Sequence, residues 1–448
     1  MELTPSKIHE EYLKNNLDKH SAAKLLISLI DNSESDKLRV ESIQGLEKIK
    51  IDDNKSFRFL ENLLISDSSE KVRNSAALIL KNLYIDRALE PMKWALIHEE
   101  SPSCLNIIHT TLIKIIKNMV ENNQQILLSE VKKIREREFR ISLEQLSKVN
   151  SIENFTSKEL AEILINYFTL SLLKKTYWRL KFKIENCKFI ELDFIFKGLT
   201  EIPEPIKYLS SLKTLIFRYN QLTALPEWIG NLTSLESLNL NVNNIKMLPE
   251  AIGSLVSLKE LLLWKNELRT LPKNIGSLSK LERINLRLNQ IETLPDTIGN
   301  LSSLREFNLH DNKLHYLPET LSCLKSLEDL NLSWNEIRDL PSSIGKLTAL
   351  KVLDLERNEL TAIPEEITSL KSLKVLNLSD NKLNSIPDKI GNLTSLQYLY
   401  LSRNRLNILP ESLKYLTKLK ELYLSENNLT KSLILLNKLE EKGAKIYF

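Results

Sequence analysis

His310, Asp311 and His315 are this chain's nearest approach to a metal-binding or acid–base group. Two imidazoles and a carboxylate are suitable donors for zinc or for proton transfer. The spacing works against both, because the surrounding pattern ends a strand at His310 and carries His315 beyond it, so the rings diverge. The three cysteines, Cys104, Cys187 and Cys323, are too few and too far apart for a disulfide framework or a thiolate metal site, which fits a reducing compartment. Cys323 falls in a connecting segment with no base positioned beside it and reads as a small structural residue. No phosphate loop, Gly-x-Ser-x-Gly, paired-histidine zinc motif or kinase signature occurs. The expectation is a chain with no catalytic residue, no cofactor, no metal and no small-molecule substrate.

Lys174, Lys175, Arg179, Lys181, Lys183 and Lys188, interleaved with Tyr177, Trp178 and Phe182, have the composition of a nucleic-acid surface. Alternation gives a plainer account, a strand with a solvated cationic face over a buried aromatic one. The net charge is only +4, and beyond Lys188 there are 32 basic against 31 acidic residues, so no large field gathers polyanions. Protein recognition is the chemistry better represented, through tryptophan, tyrosine and arginine.

The elements that must position those residues follow from one interval. Asparagine recurs every 23 residues, at Asn220, Asn243, Asn266, Asn289, Asn312, Asn335, Asn358, Asn381, Asn404 and Asn427. A regular period of this length marks a solenoid whose units stack and do not fold alone. In the unit from Pro226 to Leu248, Leu238 and Leu240 are two apart, as in a half-buried strand. Ile229, Leu232 and Leu235 are three apart, as in a short helix or tight turn. Each unit is therefore a strand followed by a helical return. Proline at 226 and its equivalents precedes the return, where a fixed φ helps to start it. Glycine follows at Gly230, Gly253, Gly276, Gly299, Gly345 and Gly391, with Ser322 and Thr368 as small substitutes, so close approach of neighbouring returns is expected. The ladder amide both donates and accepts, and is expected to bond loop backbone of its own unit and of the next.

The pattern Leu-x-x-Leu-x-Leu-x-x-Asn-x-Leu, with a Leu-Pro-x-x-Ile-Gly-x-Leu return, resembles the leucine-rich repeat family over about residues 189 to 448. The Leu-Pro and Ile-Gly elements are similar to the 23-residue class of intracellular Ras-group repeats and of many bacterial relatives. That resemblance implies an α/β horseshoe with parallel strands on its concave face, and proteins as ligands. About eleven repeats are expected. Lys197 replaces the first ladder asparagine, and after Asn427 the residues Leu433, Leu436 and Leu439 predict a capping helix, stopped at Gly443 and followed by a short edge strand over 444–448.

The fixed register gives columns of side chains on the face away from the core. One runs Glu260, Arg283, Glu306, Asp329. A second runs Asn239, Leu262, Asn285, Asn308, Asn331, Asp354, Asn377, Tyr400, Tyr423, and its asparagines either bond one another between strands or meet a ligand. A third runs Arg218, Asn241, Trp264, Arg287, His310, Ser333, Glu356, flanked by Tyr219, Lys265, Asp311, Trp334, Arg357 and Arg403. The expected partner footprint is Arg218, Tyr219, Trp264, Arg287, His310, Trp334, Glu356, Arg357, Tyr398, Tyr400, Arg403 and Tyr423, with the tryptophans and tyrosines exposed. Eleven strands about 4.8 Å apart and about 17 to 20 Å long give an area comparable with the roughly 800 Å² one partner contributes to a standard interface.

Before residue 150 the apolar pattern is helical, and a weaker repeat aligns Leu38-Arg39, Val72-Arg73 and Cys104-Leu105 at offsets of 34 and 32. The segment around Val72, Arg73, Ala76, Ala77 and Leu80 resembles HEAT-like helical repeats, which implies an α-solenoid; an ordinary helical bundle is the competing arrangement. Asp67-Ser-Ser-Glu70 reads as a capped helix start, and Thr156 with Glu159 as a capping box opening a helix through Leu160, Ile163, Leu164 and Phe168. Residues 151–188 then form a helix and a strand cap, with Trp178, Leu180, Phe182 and Ile184 inward and a turn near Asn186, joining the two solenoids into one continuous body.

The N-terminus, with Lys7, Glu10, Glu11, Lys14 and Asp18, offers no apolar signal core, and no run reaches the length of a membrane span. A cytoplasmic protein is expected, although leaderless export would leave no mark. Together these features predict a non-catalytic scaffold with a protein partner on the repeat face while the helical half docks a second partner or fixes orientation. A small-GTPase or signalling regulator, implied by the Ras-group resemblance, and a host-directed bacterial effector without its own catalytic domain are the other readings.

Overall fold

The computed structural model describes residues 3–138, 154–185, 188–430 and 433–448. The expected boundary at residue 150, the turn near Asn186 and Cys187 lie outside the described residues. The chain divides into two compact units, Met1–Leu180 with Ile184–Lys188, and Lys181–Lys183 with Phe189–Phe448.

The first unit is helical: α1 (Pro5–Leu13), α2 (Lys19–Asn32), α3 (Asp36–Lys48), α4 (Asn54–Ser66), α5 (Glu70–Leu83), α6 (Leu89–His98), α7 (Pro102–Asn122), α8 (Gln124–Glu138) and α9 (Ser157–Thr176). Side-chain caps start most of them: Asp18 accepts from the His20 and Ser21 amides at 2.9 Å, and Asp53 from Ser56 at 2.7 Å. The pairs α2/α3, α4/α5 and α6/α7 form hairpins, and α3, α5 and α7 pack in succession. These are the repeats expected from the aligned Arg39 and Arg73, stacked and not bundled. Each arginine ties its repeat to the next. Arg39 donates to the Asp67 carboxylate and the Ile30 carbonyl, and Arg73 grips Glu99 through two bonds of 2.7 and 2.8 Å. Leu105 occupies the third such position. One local expectation is corrected: α5 begins at Glu70, but Ser69 makes no side-chain cap, because its hydroxyl donates to Asp36 at 2.7 Å and Asp67 is turned toward Arg39. The Thr156–Glu159 capping box is present in both directions, with bonds of 3.3 and 2.8 Å.

The predicted strand from Trp178 is also corrected. It is confined to β1 (Lys181–Glu185), because Arg179 adopts φ 53° and turns the chain just before it. Of the side expected inward, Leu180 is buried and Ile184 half-buried, but the aromatics are not: Trp178 is 74% and Phe182 37% exposed, and the Arg179 guanidinium lies 4.0 Å over the Trp178 ring.

The sheet continues through β2 (Lys188–Asp193), β3 (Thr214–Ile216), β4 (Ser237–Asn239), β5 (Glu260–Leu262), β6 (Arg283–Asn285), β7 (Glu306–Asn308), β8 (Asp329–Asn331), β9 (Val352–Asp354), β10 (Val375–Asn377), β11 (Tyr398–Tyr400), β12 (Glu421–Tyr423) and β13 (Lys445–Tyr447). The strands lie in sequence order, and from β2 onward each is parallel to the next. Returns are 3-10 turns such as Glu227–Asn231, whose Ile229 amide donates to the Pro226 carbonyl at 3.0 Å. The inward strand leucines, such as Leu238 and Leu261, and the return leucines, such as Leu232 and Leu278, are fully buried. The capping helix α10 (Leu433–Glu441) stops before Gly443, at φ 92°, and leads into β13, as the sequence predicts; the side chain of Leu433 lies outside the description.

Each ladder asparagine works as expected, with its direction corrected: the second unit it serves is the preceding one, not the next. Asn243 donates to the carbonyls of Phe217, in the preceding unit, and Leu240, in its own, both at 3.0 Å, and accepts from the Leu222 amide at 3.0 Å. The residue before each ladder asparagine, from Tyr219 to Glu426, sits at φ between 55° and 59°. That left-handed region is uncommon for residues other than glycine, and most unfavourable for a β-branched one such as Val242. The asparagine N–H₂ holds the carbonyls on either side of the strand end, which fixes the turn whatever side chain stands there.

Candidate functional site

The pairing register builds the expected columns. Glu260, Arg283, Glu306 and Asp329 lie side by side on successive strands, as do Asn285, Asn308, Asn331, Asp354, Asn377 and Tyr400. In the first column Arg283 bonds Glu306 at 2.6 Å and Glu260 at 2.9 Å, and Ser237 donates to Glu260 at 2.8 Å. These charges answer one another. In the second, the asparagine ladder between strands does not form among the described residues. Instead each Oδ1 accepts the amide two residues on in its own loop: Asn239 from Asn241 at 3.1 Å, Asn285 from Arg287 and Asn308 from His310 at 3.0 Å. The oxygen is thus used locally and the N–H₂ is left toward the sheet's solvent face, except at Asn377, where it donates to Glu356.

The expected footprint separates into three groups. Toward β3, Arg218 lies 4.6 Å over Tyr219 and 5.9 Å from the Trp264 ring, while Phe196 stacks on Tyr219 at 4.5 Å. In the middle, His310 Nδ1 is 2.7 Å from the Ser333 hydroxyl, its ring is 6.0 Å from Trp334, and Arg357 covers Trp334 at 3.8 Å. Toward the far edge, Tyr400, Tyr423 and Tyr447 stack in series at 4.7 and 4.4 Å, with Tyr398 beneath Lys420 and Arg403 paired to Glu426 at 3.0 Å. Arg287 projects between the first two groups, and Glu356 accepts from Asn377 at 3.2 Å. The expectation that all six aromatics stand exposed is corrected: Trp334 is exposed, while Trp264, Tyr219, Tyr398, Tyr400 and Tyr423 are half-buried, in most cases against rings or cations of adjoining repeats.

Phe196 and Tyr447 belong to these groups and were missed. Both are legible as column extensions, Phe196 lying 23 residues before Tyr219 and Tyr447 one step past Tyr423 in the register. The strand length is corrected too. Three residues at about 3.3 Å each give strands of about 10 Å, so the strands alone fall short of a standard footprint and the left-handed loop residues Tyr219, Lys265, Trp334, Arg357 and Arg403 widen the face. His315 sits with Glu336 at 3.5 Å, away from His310, and among the described residues no group of three or more His, Cys, Asp or Glu could hold a metal ion. Cys323 is exposed and Cys104 buried, both free thiols. Among the described residues no helix is long and apolar enough to cross a membrane.

Asp354 stands where most of its column carries asparagine, and it makes the same cap, accepting the Glu356 amide at 3.0 Å. Burial, with the carboxylates of Glu356 and Asp329 adding to it, pushes its carboxyl up to about 6. The native state thus holds this proton more tightly than the unfolded chain, where aspartate titrates near ~3.9. The ionised group therefore opposes folding above that value, and its penalty fades as pH falls toward about 4. Asp354→Asn keeps the cap and removes the charge, so it is expected to raise the melting temperature at neutral pH and leave it unchanged near pH 4. A lower melting temperature at neutral pH, or an equal shift at both, would contradict this.

A model of a leucine-rich repeat region matches residues 229–339 and again 308–442, and a second leucine-rich repeat model matches residues 211–232. Among solved structures, the chain is similar to a leucine-rich repeat protein of Leptospira interrogans, at 29% identity over 56% of this chain and 82% of that one, with a TM-score of 0.34. It is similar also to an internalin of Listeria monocytogenes, at 21% identity over 59% and 84%, TM-score 0.47. The ectodomain of the Arabidopsis receptor kinase HAESA, in complex with a peptide hormone, matches at 30% identity over 55% of this chain and 43% of that one, TM-score 0.46. No curated protein matches the chain.

Proposed function

Because the chain belongs to the leucine-rich repeat family, matched from residue 211 to residue 442, we propose that it is a non-catalytic scaffold that binds a protein partner on the solvent face of its sheet. The family's members are in general binding scaffolds, and the sheet face is where this chain departs from a neutral repeat. The observation that carries the reading is the Trp334 group. A tryptophan 41% exposed, held at a left-handed turn and covered by Arg357 at 3.8 Å, is a costly arrangement for a surface without a ligand. Tryptophan, tyrosine and arginine dominate the binding energy of protein interfaces, where truncation of one anchor costs about 2 kcal/mol or more. Affinity capture with the wild type and with a Trp264→Ala, Trp334→Ala double variant tests it. Partners held by the wild type are expected to be lost from the variant while its circular dichroism stays unchanged; equal retention would refute the footprint.

A further inference from the structure

The part of the sheet face between β3 and β6 carries more donors than acceptors: Arg218 has one acceptor, the Tyr219 hydroxyl at 3.1 Å, and the Glu260 carboxylate is taken by Ser237 and Arg283. Asn241 accepts the Trp264 amide on its Oδ1 at 2.8 Å, which leaves its N–H₂ toward the open side of the sheet. Arg218 Nε and the Trp264 indole N–H are both buried and both without a hydrogen-bond partner. Such orphaned donors are rare in native proteins, because each forfeits a bond it makes in water. Around them Lys265 and Arg287 have no carboxylate partner among the described residues, whereas Arg283 and Arg403 on the same face are paired. The nearest acids of the first column, Glu260 and Glu306, are both taken by Arg283. The N–H₂ groups of Asn239 and Asn285 add two further donors, since their oxygens are held by their own loops. Neutral amides, an indole edge and unanswered cations within a few strands call for one ligand chemistry, an anionic acceptor.

We infer that this stretch of the face docks an extended acidic segment of a protein partner, with one carboxylate seated between Arg218 and Arg287 at the edge of the Trp264 indole. The inference rests on the sheet-face binding proposed above and names the chemistry of what is bound. A segment laid across the strands meets Arg218, Asn241, Trp264 and Arg287 in consecutive repeats, so its backbone carbonyls answer the amides while its acidic side chains answer the cations.

The test uses the full chain and two capped ten-residue peptides, alternating Gly-Glu and alternating Gly-Gln, in calorimetric titrations at low salt. The wild type is expected to prefer the glutamate peptide by about tenfold. Arg218→Gln with Arg287→Gln is expected to abolish most of that preference, and Trp264→Phe, which keeps the ring and removes the N–H, to weaken it several-fold. Lys280→Gln with Lys418→Gln, an equal loss of charge at exposed positions elsewhere, is expected to preserve it. No preference in the wild type, an equal loss in the lysine pair, or full displacement by inorganic phosphate at the same charge concentration would each overturn the inference. Partners lost from the Trp264, Trp334 double variant but kept by the Arg218, Arg287 variant would sink the acidic segment and leave the binding face standing; partners kept by both would sink the two together.

Discussion

Asn312→Ala is expected to lower the melting temperature by several degrees, while Lys313→Ala beside it leaves the temperature unchanged. Asn312 is 7% exposed; its N–H₂ donates to the carbonyls of Leu286 and Leu309 at 3.0 Å, and its oxygen accepts the Ile291 amide at 3.0 Å. Alanine removes these bonds at once: the Ile291 amide is left unpaired inside the stack, and the Leu286 and Leu309 carbonyls each keep one asparagine donor, from Asn289 and Asn335, where they had two. One orphaned buried group costs roughly 1 to 3 kcal/mol, and each carbonyl loses a donor besides, so a loss of about 2 to 3 kcal/mol is expected, a large effect for a single substitution. Exposed Lys313 anchors nothing comparable, and surface changes of that kind usually stay within about 0.5 kcal/mol. Two of the three partners belong to the preceding repeat. The damage is therefore to the junction between units, and hydrogen exchange is expected to accelerate on both sides of it. Coincident melting curves for the two variants would show that the amide bonds do not hold the repeats together.

Gly276→Ala is expected to be destabilising by a similar amount, about 1 to 3 kcal/mol, the usual range for overpacking, although glycine to alanine at an unstrained position ordinarily stabilises by about 0.4 to 1 kcal/mol. The backbone does not forbid alanine, since Gly276 is not among the positive-φ glycines. Space does. A Cβ on Gly276 would sit 2.3 Å from the Thr297 carbonyl oxygen of the next return, and that oxygen belongs to backbone and not to a side chain that can swing away. Ser322 and Thr368 take this position in two units; the Thr368 hydroxyl bonds back to Glu365 at 2.8 Å, and the turn after it spans only Ile390–Asn392, whereas the turn after Ser322 keeps its length, Ser342–Lys346. Thermal denaturation of Gly276→Ala decides the point, and a higher melting temperature than wild type would show that neighbouring returns are not in contact at this carbonyl.

The 23-residue asparagine interval carried most of the sheet half, because one period encodes strand, return and ladder together. Proline before each return and glycine within it were readable for the same reason: each answers to a constraint that recurs in every unit. The left-handed residue before each asparagine was not, since Tyr219, Val242, Lys265 and Trp334 share no chemistry and the turn is imposed by the amide that follows. Strand length escaped for a related reason, as the alternating pattern runs on into the loop although the ladder of backbone bonds stops after three residues. Trp178 and Phe182 misled because alternation fits both a strand and a turn entering one. At the candidate site, the columns were legible from register alone. How far Tyr400 and Tyr423 cover one another, or how Asn241 and Trp264 share a bond, depends on contacts between repeats, which no single unit's sequence contains.

The claim on which the functional account depends is that recognition belongs to the solvent face of the sheet and not to aromatic exposure in general. Tyr316 and Tyr415 are 54% and 62% exposed and stand outside the strand columns, so truncating them removes as many rings as truncating Trp264 and Trp334 does. Quantitative capture of the same partners by the two double variants, Trp264→Ala with Trp334→Ala and Tyr316→Ala with Tyr415→Ala, compares the surfaces directly. Loss of partners from the tryptophan pair alone is the predicted result; equal loss from both, or loss from the tyrosine pair alone, would contradict it.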